Sequence, residues 1–133
     1  MYELEFLVRD YELDLQGIVN NAHYLHYLEH ARHEYLYACG VDFALLHEQG
    51  IDLIVTRIEA DYKESLRSRD RFKVVSSAGK EGNLRMVFDQ KIIRLPDQKV
   101  VLSAKVFGVC LINGKPVRPE RIEALSCLIE QQA

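Results

Sequence analysis

The order of apolar and polar positions divides the chain into one strand, one long helix, a run of strands and a short tail. Tyr2 to Val8 is strand-like. On a helical wheel begun at Ala22, residues Tyr24, Tyr27, Leu28, Ala31, Tyr35, Ala38 and Cys39 fall within one arc of about 120°, the width of a core-facing stripe. Gly40 stops that helix as a C′ residue, and a helical turn follows around Phe43 to Gln49. Four β-rich stretches come next, Asp52 to Lys63, Arg71 to Ala78, Leu84 to Leu95 and Lys99 to Ile112. The segments between the later ones, AGKEGN, LPDQK and NGK, are long enough for antiparallel hairpins and too short for parallel crossovers. Pro116 and Pro119 mark the exit, and Glu120 to Gln132 is read as a closing helix with Ile122, Leu125 and Ile129 on one face. The pattern is α+β, an antiparallel five-stranded sheet curled around one long helix.

Length and composition narrow the setting. A chain of 133 residues, 48% of them hydrophobic, suits one compact domain over 1–133. The net charge of −3 comes with no basic block, which disfavours nucleic acid and anionic membranes as partners. Cys39, Cys110 and Cys127 are odd in number and far apart in apolar surroundings, and are read as reduced core thiols. The N-terminus is charged from Glu3 onward, and no apolar run is long enough to span a bilayer. A soluble, unexported, cytoplasmic protein is expected.

The chemistry concentrates between Asp10 and Gly40. There a carboxylate, a glycine turn and an asparagine cap stand directly before the amphipathic helix. Free N–H groups and the positive dipole end at a helix start can hold a developing oxyanion, while Asp14, seven residues upstream of Asn21, can act as base or nucleophile. Each residue also has a plain structural reading: Asp14 as a turn aspartate, Asn21 as a helix N-cap, Asn20 as a turn former. His23, His26, His30 and His33 recur at helical spacing opposite the tyrosines. With no HExxH motif and few carboxylates on that face they read as a solvated or interface-facing strip, and no metal is expected.

The run DLQGIVNNAHYLHYLEHAR (14–32), followed by Tyr35 and Gly40, resembles the signature of the 4-hydroxybenzoyl-CoA thioesterase family. IVTRIEADYKESLRSRDRFKV (54–74) resembles that family's second and third strands, and the Val19–Asn21 triplet is similar to one in plant acyl-ACP thioesterases. The resemblance implies a hotdog fold and hydrolysis of an acyl thioester without a cofactor. It puts the catalytic carboxylate on Asp14, not on Asp10 or Glu12, with the Asn21 amide polarising the carbonyl. Gly17, Asn20, Tyr24 and Glu29 are carried over as substrate-binding candidates, although Glu29 can equally pair with Arg32 or His33 on the helix surface.

A coenzyme A phosphate needs a few cations at a cleft mouth. Arg67, Arg69, Arg71, Lys80, Arg85 and Arg118 are candidates, and each also reads as ordinary charge near a sheet edge. The family resemblance implies a homo-oligomer, a dimer or dimer of dimers with sites at the interface. The expected function is an acyl-CoA thioesterase, with an acyl-ACP thioesterase or a non-catalytic acyl-binding module as alternatives. Hotdog hydratases use a different His and acid motif.

Overall fold

The computed structural model describes the backbone of residues 1–130 and the side chains of residues 1–128. Its elements are β1 (Tyr2–Leu7), α1 (Asn21–Ala38), α2 (Phe43–Glu48), β2 (Ile51–Tyr62), β3 (Arg71–Glu81), β4 (Arg85–Leu95), β5 (Val100–Ile112), β6 (Lys115–Val117) and α3 (Ser126–Glu130). Five long antiparallel strands run in the order β1-β3-β4-β5-β2. The long strands and the helix thus match the sequence reading, with bounds moved by one to three residues.

The sixth strand was not expected. β4 pairs with β5 only as far as Arg85 opposite Val109, so the far end of β5 has an open side. β6 fills it, with Pro116 opposite Leu111. A proline is tolerated at such a sheet margin because it has no N–H to leave unpaired.

The helix lies across the sheet and buries Tyr24, Tyr27, Leu28, Ala31, Arg32, Tyr35 and Leu36. Ala38 is exposed and Cys39 half-buried, so the predicted stripe ends one turn early, while Arg32 and Leu36 join the buried face. The first half of the helix packs with Phe72, Val74, Ile92 and Leu102. The second half packs with Phe88, Val106, Cys110, Leu125 and Leu128. Between these apolar clusters sits a buried polar group. Gln90 Nε2 donates to Leu28 O and to Ser76 Oγ, each at 3.0 Å, and Gln90 Oε1 accepts from Arg32 at 3.0 Å. Satisfied polar groups of this kind fix the position of a helix over a sheet more sharply than apolar contact does.

The predicted closing helix is a correction. Residues 119–121 and 123–125 form separate 3-10 turns, and α3 begins only at Ser126. Pro119 and the extended backbone of Ile122 break a continuous helix, yet Ile122 and Leu125 are buried as expected. Residues 131–133 and the Ile129 side chain lie outside the described residues.

Cys110 is a core residue. Cys39 and Cys127, far apart in sequence and each half-buried, approach to 2.6 Å between sulfurs across the helix ends. Burial and the contact with Cys127 push the Cys39 thiol up to about 11.

The two sheet edges differ. On β1, Glu3 and Glu5 pair across the strand with Lys73 and Arg71. On β2, Ile54, Val55, Ile58 and Tyr62 are exposed. A bulge between Val55 and Arg57 bends that strand, and Thr56 Oγ1 donates to Phe107 O at 3.3 Å. The bend needs Gly108, where a Cβ would lie 3.0 Å from Ile54 O.

Candidate active site

Asp14 is carried by a tight loop whose ends are laced together. Asp14 N–H donates to Ile18 O at 2.8 Å, Gly17 N–H to Asp14 O at 3.1 Å, and Asn20 N–H to Glu12 O at 3.0 Å. Leu13 and Val19 bridge between them. Gly17 closes the turn at φ 77°, a left-handed conformation that residues with a Cβ adopt at a cost. The short ladder holds Asp14 at its tip and delivers Asn21 at its base.

The Asp14 carboxylate is half-buried. Its Oδ1 accepts the Gln16 N–H at 2.8 Å, and among the described residues Oδ2 has no partner. One oxygen is therefore held and one is open, as a base or nucleophile requires.

The helix cap falls one residue earlier than the sequence reading placed it. Asn20 is the N-cap, with its Oδ1 accepting from Ala22 N at 2.9 Å, and Asn21 is the first helical residue. Asn21 N–H has no acceptor among the described residues. It points an unspent donor out of the positive end of an 18-residue helix. Asn21 O accepts from Tyr62 Oη at 3.1 Å, which pins the end of β2 to the helix start.

Support comes from beneath. Glu12 is buried, and its Oε1 accepts from Arg9 N and Tyr27 Oη, both at 2.8 Å. Burial and the Glu12 bond raise the Tyr27 hydroxyl, so it stays protonated as donor. On the other side Val19 N–H donates to Leu66 O at 2.9 Å and Leu66 N–H to Tyr24 Oη at 3.0 Å. Tyr24, a substrate-binding candidate, is thus buried with its hydroxyl engaged in holding the loop. Burial raises its pKa as well. The sequence sets Glu12 aside as a catalytic carboxylate and gives Leu66, inside the 54–74 run, no role, because a supporting hydrogen bond leaves no spacing signal.

The cation candidates scatter. Arg67 bridges Ile18 through the backbone and so lies beside the Asp14 loop. Arg69 stands at φ 64° in the turn that follows. Arg71 pairs with Glu5, Lys80 with Glu120, and Arg85 with Glu81 at 3.1 Å while stacking on Phe107 at 4.3 Å. Arg67, Arg69 and Arg118 form no ion pair among the described residues.

Glu29 does not meet Asp14. It lines a separate cleft of about 290 Å³ with Arg32 and His33, walled by Phe43, β2 and the helix-facing side of β4 and β5. Asp14 and Asn21 are not among its walls. Among the described residues no cluster of three or more His, Cys, Asp or Glu is placed to hold a metal ion, and no helix is long and apolar enough to cross a membrane.

A curled antiparallel sheet around one helix, with a carboxylate loop at the helix start, is a hotdog fold. The chain belongs to the thioesterase-like superfamily, whose family model it matches over residues 8–125. It is 39% identical over 118 residues to the chloroplastic acyl-acyl carrier protein thioesterase ATL3 of Arabidopsis thaliana, covering 88% of this chain and 62% of that protein. The chain therefore spans under two thirds of that plant relative. It is 31% identical to the acyl-CoA thioesterase YbgC of Haemophilus influenzae, covering 90% of each. The crystal structure of a DHNA-CoA thioesterase from Staphylococcus aureus superposes with a TM-score of 0.82 at 26% identity, covering 94% of this chain and 88% of that one.

Proposed function

We propose that this chain, acting as one hotdog domain over 1–133, hydrolyses acyl thioesters to free acid and thiol. The reading is carried by one observation, a half-open Asp14 carboxylate held on the same short ladder as an unspent Asn21 amide. A thioester carbonyl needs its oxygen polarised and a nucleophile delivered. The Asn21 N–H donates to the carbonyl oxygen, and the helix dipole steadies the charge that grows there. Asp14 either takes a proton from a water whose oxygen bonds to the carbonyl carbon, the C–S bond then breaking and the leaving thiolate receiving that proton, or bonds to the carbon itself. The second route expels the thiolate, which takes a proton from solvent, and gives a mixed anhydride that a second water cleaves to the free acid and the restored carboxylate.

The thiol is a pantetheine carried by coenzyme A or by acyl carrier protein. Bacterial relatives named acyl-CoA thioesterases support the first carrier. The two plant relatives at 39% and 37% identity, named acyl-acyl carrier protein thioesterases, favour the second. An aryl acyl group, as in the 4-hydroxybenzoyl-CoA branch that the motif resembles, belongs in the same panel. The odd cysteine count suits a cytoplasmic, reducing setting.

The working form is a homodimer, with pairs of dimers as a further assembly. An unpaired apolar edge such as β2 calls for a partner, and the charged edge of β1 does not. Antiparallel pairing of β2 with its copy about Ile58 aligns residue 54 with residue 62, which carries the Asn21 end of one copy toward the Glu29 cleft of the other. Both elements then serve one site.

A thiol-release assay with acyl-CoA and acyl-acyl carrier protein thioesters tests the function. Asp14→Asn should lower kcat by about 10³-fold or more while fold and oligomer persist. Wild-type turnover in that variant would remove Asp14 from the mechanism.

A further inference from the structure

Arg32 is left unused by the chemistry at Asp14, although it is the one buried cation of the chain's described core. It is 8% exposed. One guanidinium nitrogen donates to Gln90 Oε1 at 3.0 Å, and among the described residues no carboxylate oxygen lies within 4.0 Å of it. Burial pulls its pKa down, and the charge of Glu29 only partly opposes this. A guanidinium has five N–H donors. The Gln90 bond uses one, and Arg32 lines the 290 Å³ cleft.

The rest of that cleft is mostly apolar. Leu36, Phe43, Leu53, Phe88 and Cys110 form its walls, and Glu29 and His33 stand with Arg32 on its helix side. His33 is steadied by Phe43, ring to ring at 5.0 Å. A plain alkyl chain filling this space would strip water from the remaining Arg32 donors and return nothing, a loss that polar sites convert into discrimination against ligands lacking the matching atom.

We infer that this cleft binds the acyl part of the substrate and selects acyl groups that carry a hydrogen-bond-accepting oxygen, a hydroxyl or keto group along the chain, which Arg32 holds. The inference rests on the reading of the chain as an acyl thioester hydrolase. Gln90 takes one N–H; among the described residues no other hydrogen bond from the guanidinium is present, and Arg32 borders the cleft.

The experiment compares decanoyl-CoA with its 3-, 6- and 10-hydroxy derivatives on the wild-type protein, by kcat/KM. At least one hydroxylated substrate should exceed decanoyl-CoA tenfold or more, and Arg32→Met should bring that ratio to within twofold. Arg32→Lys, which keeps the charge and loses the fork, should give an intermediate ratio and serves if the methionine variant does not fold. No preference for any oxygen position in the wild type, or a preference that survives in Arg32→Met, overturns the inference. If no thioester is turned over, the hydrolase reading fails instead. Calorimetric binding of the same four thioesters then decides the matter, with a tenfold affinity gap in favour of one and equal affinities against.

Discussion

Tyr27 Oη donates to Glu12 Oε1 over 2.8 Å, joining the loop that carries Asp14 to the buried face of the long helix. The acceptor is a buried carboxylate that also takes the Arg9 amide. Tyr27→Phe removes a hydrogen bond to a charged group, and urea unfolding should record a loss of about 1.5–3 kcal/mol. If the bond also aims Asp14, kcat falls while KM holds. A variant as stable as the wild type would show that the loop is held by its backbone ladder alone.

Neighbouring asparagines divide the labour at the helix start. Asn20→Ala removes the side-chain cap and should cost about 1 kcal/mol by chemical denaturation. Asn21→Pro is the sharper probe, since proline is well suited to the first helical position and Asn20, at φ −60° and ψ 137°, already has the extended backbone that precedes a proline. That variant should fold normally and lose about 10²–10³-fold in kcat, because only the polarising N–H has gone. Undiminished turnover would move the oxyanion donor elsewhere.

His47 Nδ1 lies 2.6 Å from Asp52 Oδ1, joining α2 to the start of β2. The Asp52 bond and charge raise the His47 pKa above the ordinary histidine value. A raised histidine stabilises the fold fully below its unfolded pKa of about 6.5, and that contribution is lost as pH rises through the folded value. The Tm gap between wild type and His47→Gln should therefore be larger at pH 5.5 than at pH 8.5. A gap that widens toward pH 8.5 would contradict the pairing.

Ile58 sits midway along the exposed face of β2. Placing a charge there opposes an apolar edge contact, so Ile58→Asp should run as a monomer by light scattering and lose thioester hydrolysis with it. A fully active monomer would mean that one copy holds a complete site.

The long strands were legible because their turns contain Gly, Pro, Asn and Asp at hairpin lengths. The helix was legible because tyrosines and small residues recur at its period. β6 was not legible, since a Lys-Pro-Val segment looks like an exit until the shortness of β4 leaves an open place beside β5. The tail misread as one helix shows the reverse. Its apolar spacing is helical, but Pro119 and packing against the core split it into turns. At the site, Asp14, Gly17 and the two asparagines stood out through motif spacing. Their supports, the Tyr27 bond to Glu12 below and the Tyr24 bond to Leu66 beside, join positions that only folding brings together.

The opening carboxylate, the Gly17 turn and the helix start with its open Asn21 amide are local, specified by a few consecutive residues and legible before folding, whereas which of the two asparagines caps the helix shows only in the backbone. Burial is not local. In the sequence Arg32, the single Lys or Arg of the helix, reads as a surface cation placed to pair with Glu29. Only the tertiary structure placed it over Gln90 and against an apolar cleft, because whether a guanidinium meets water or a sheet depends on which strands pass beneath it.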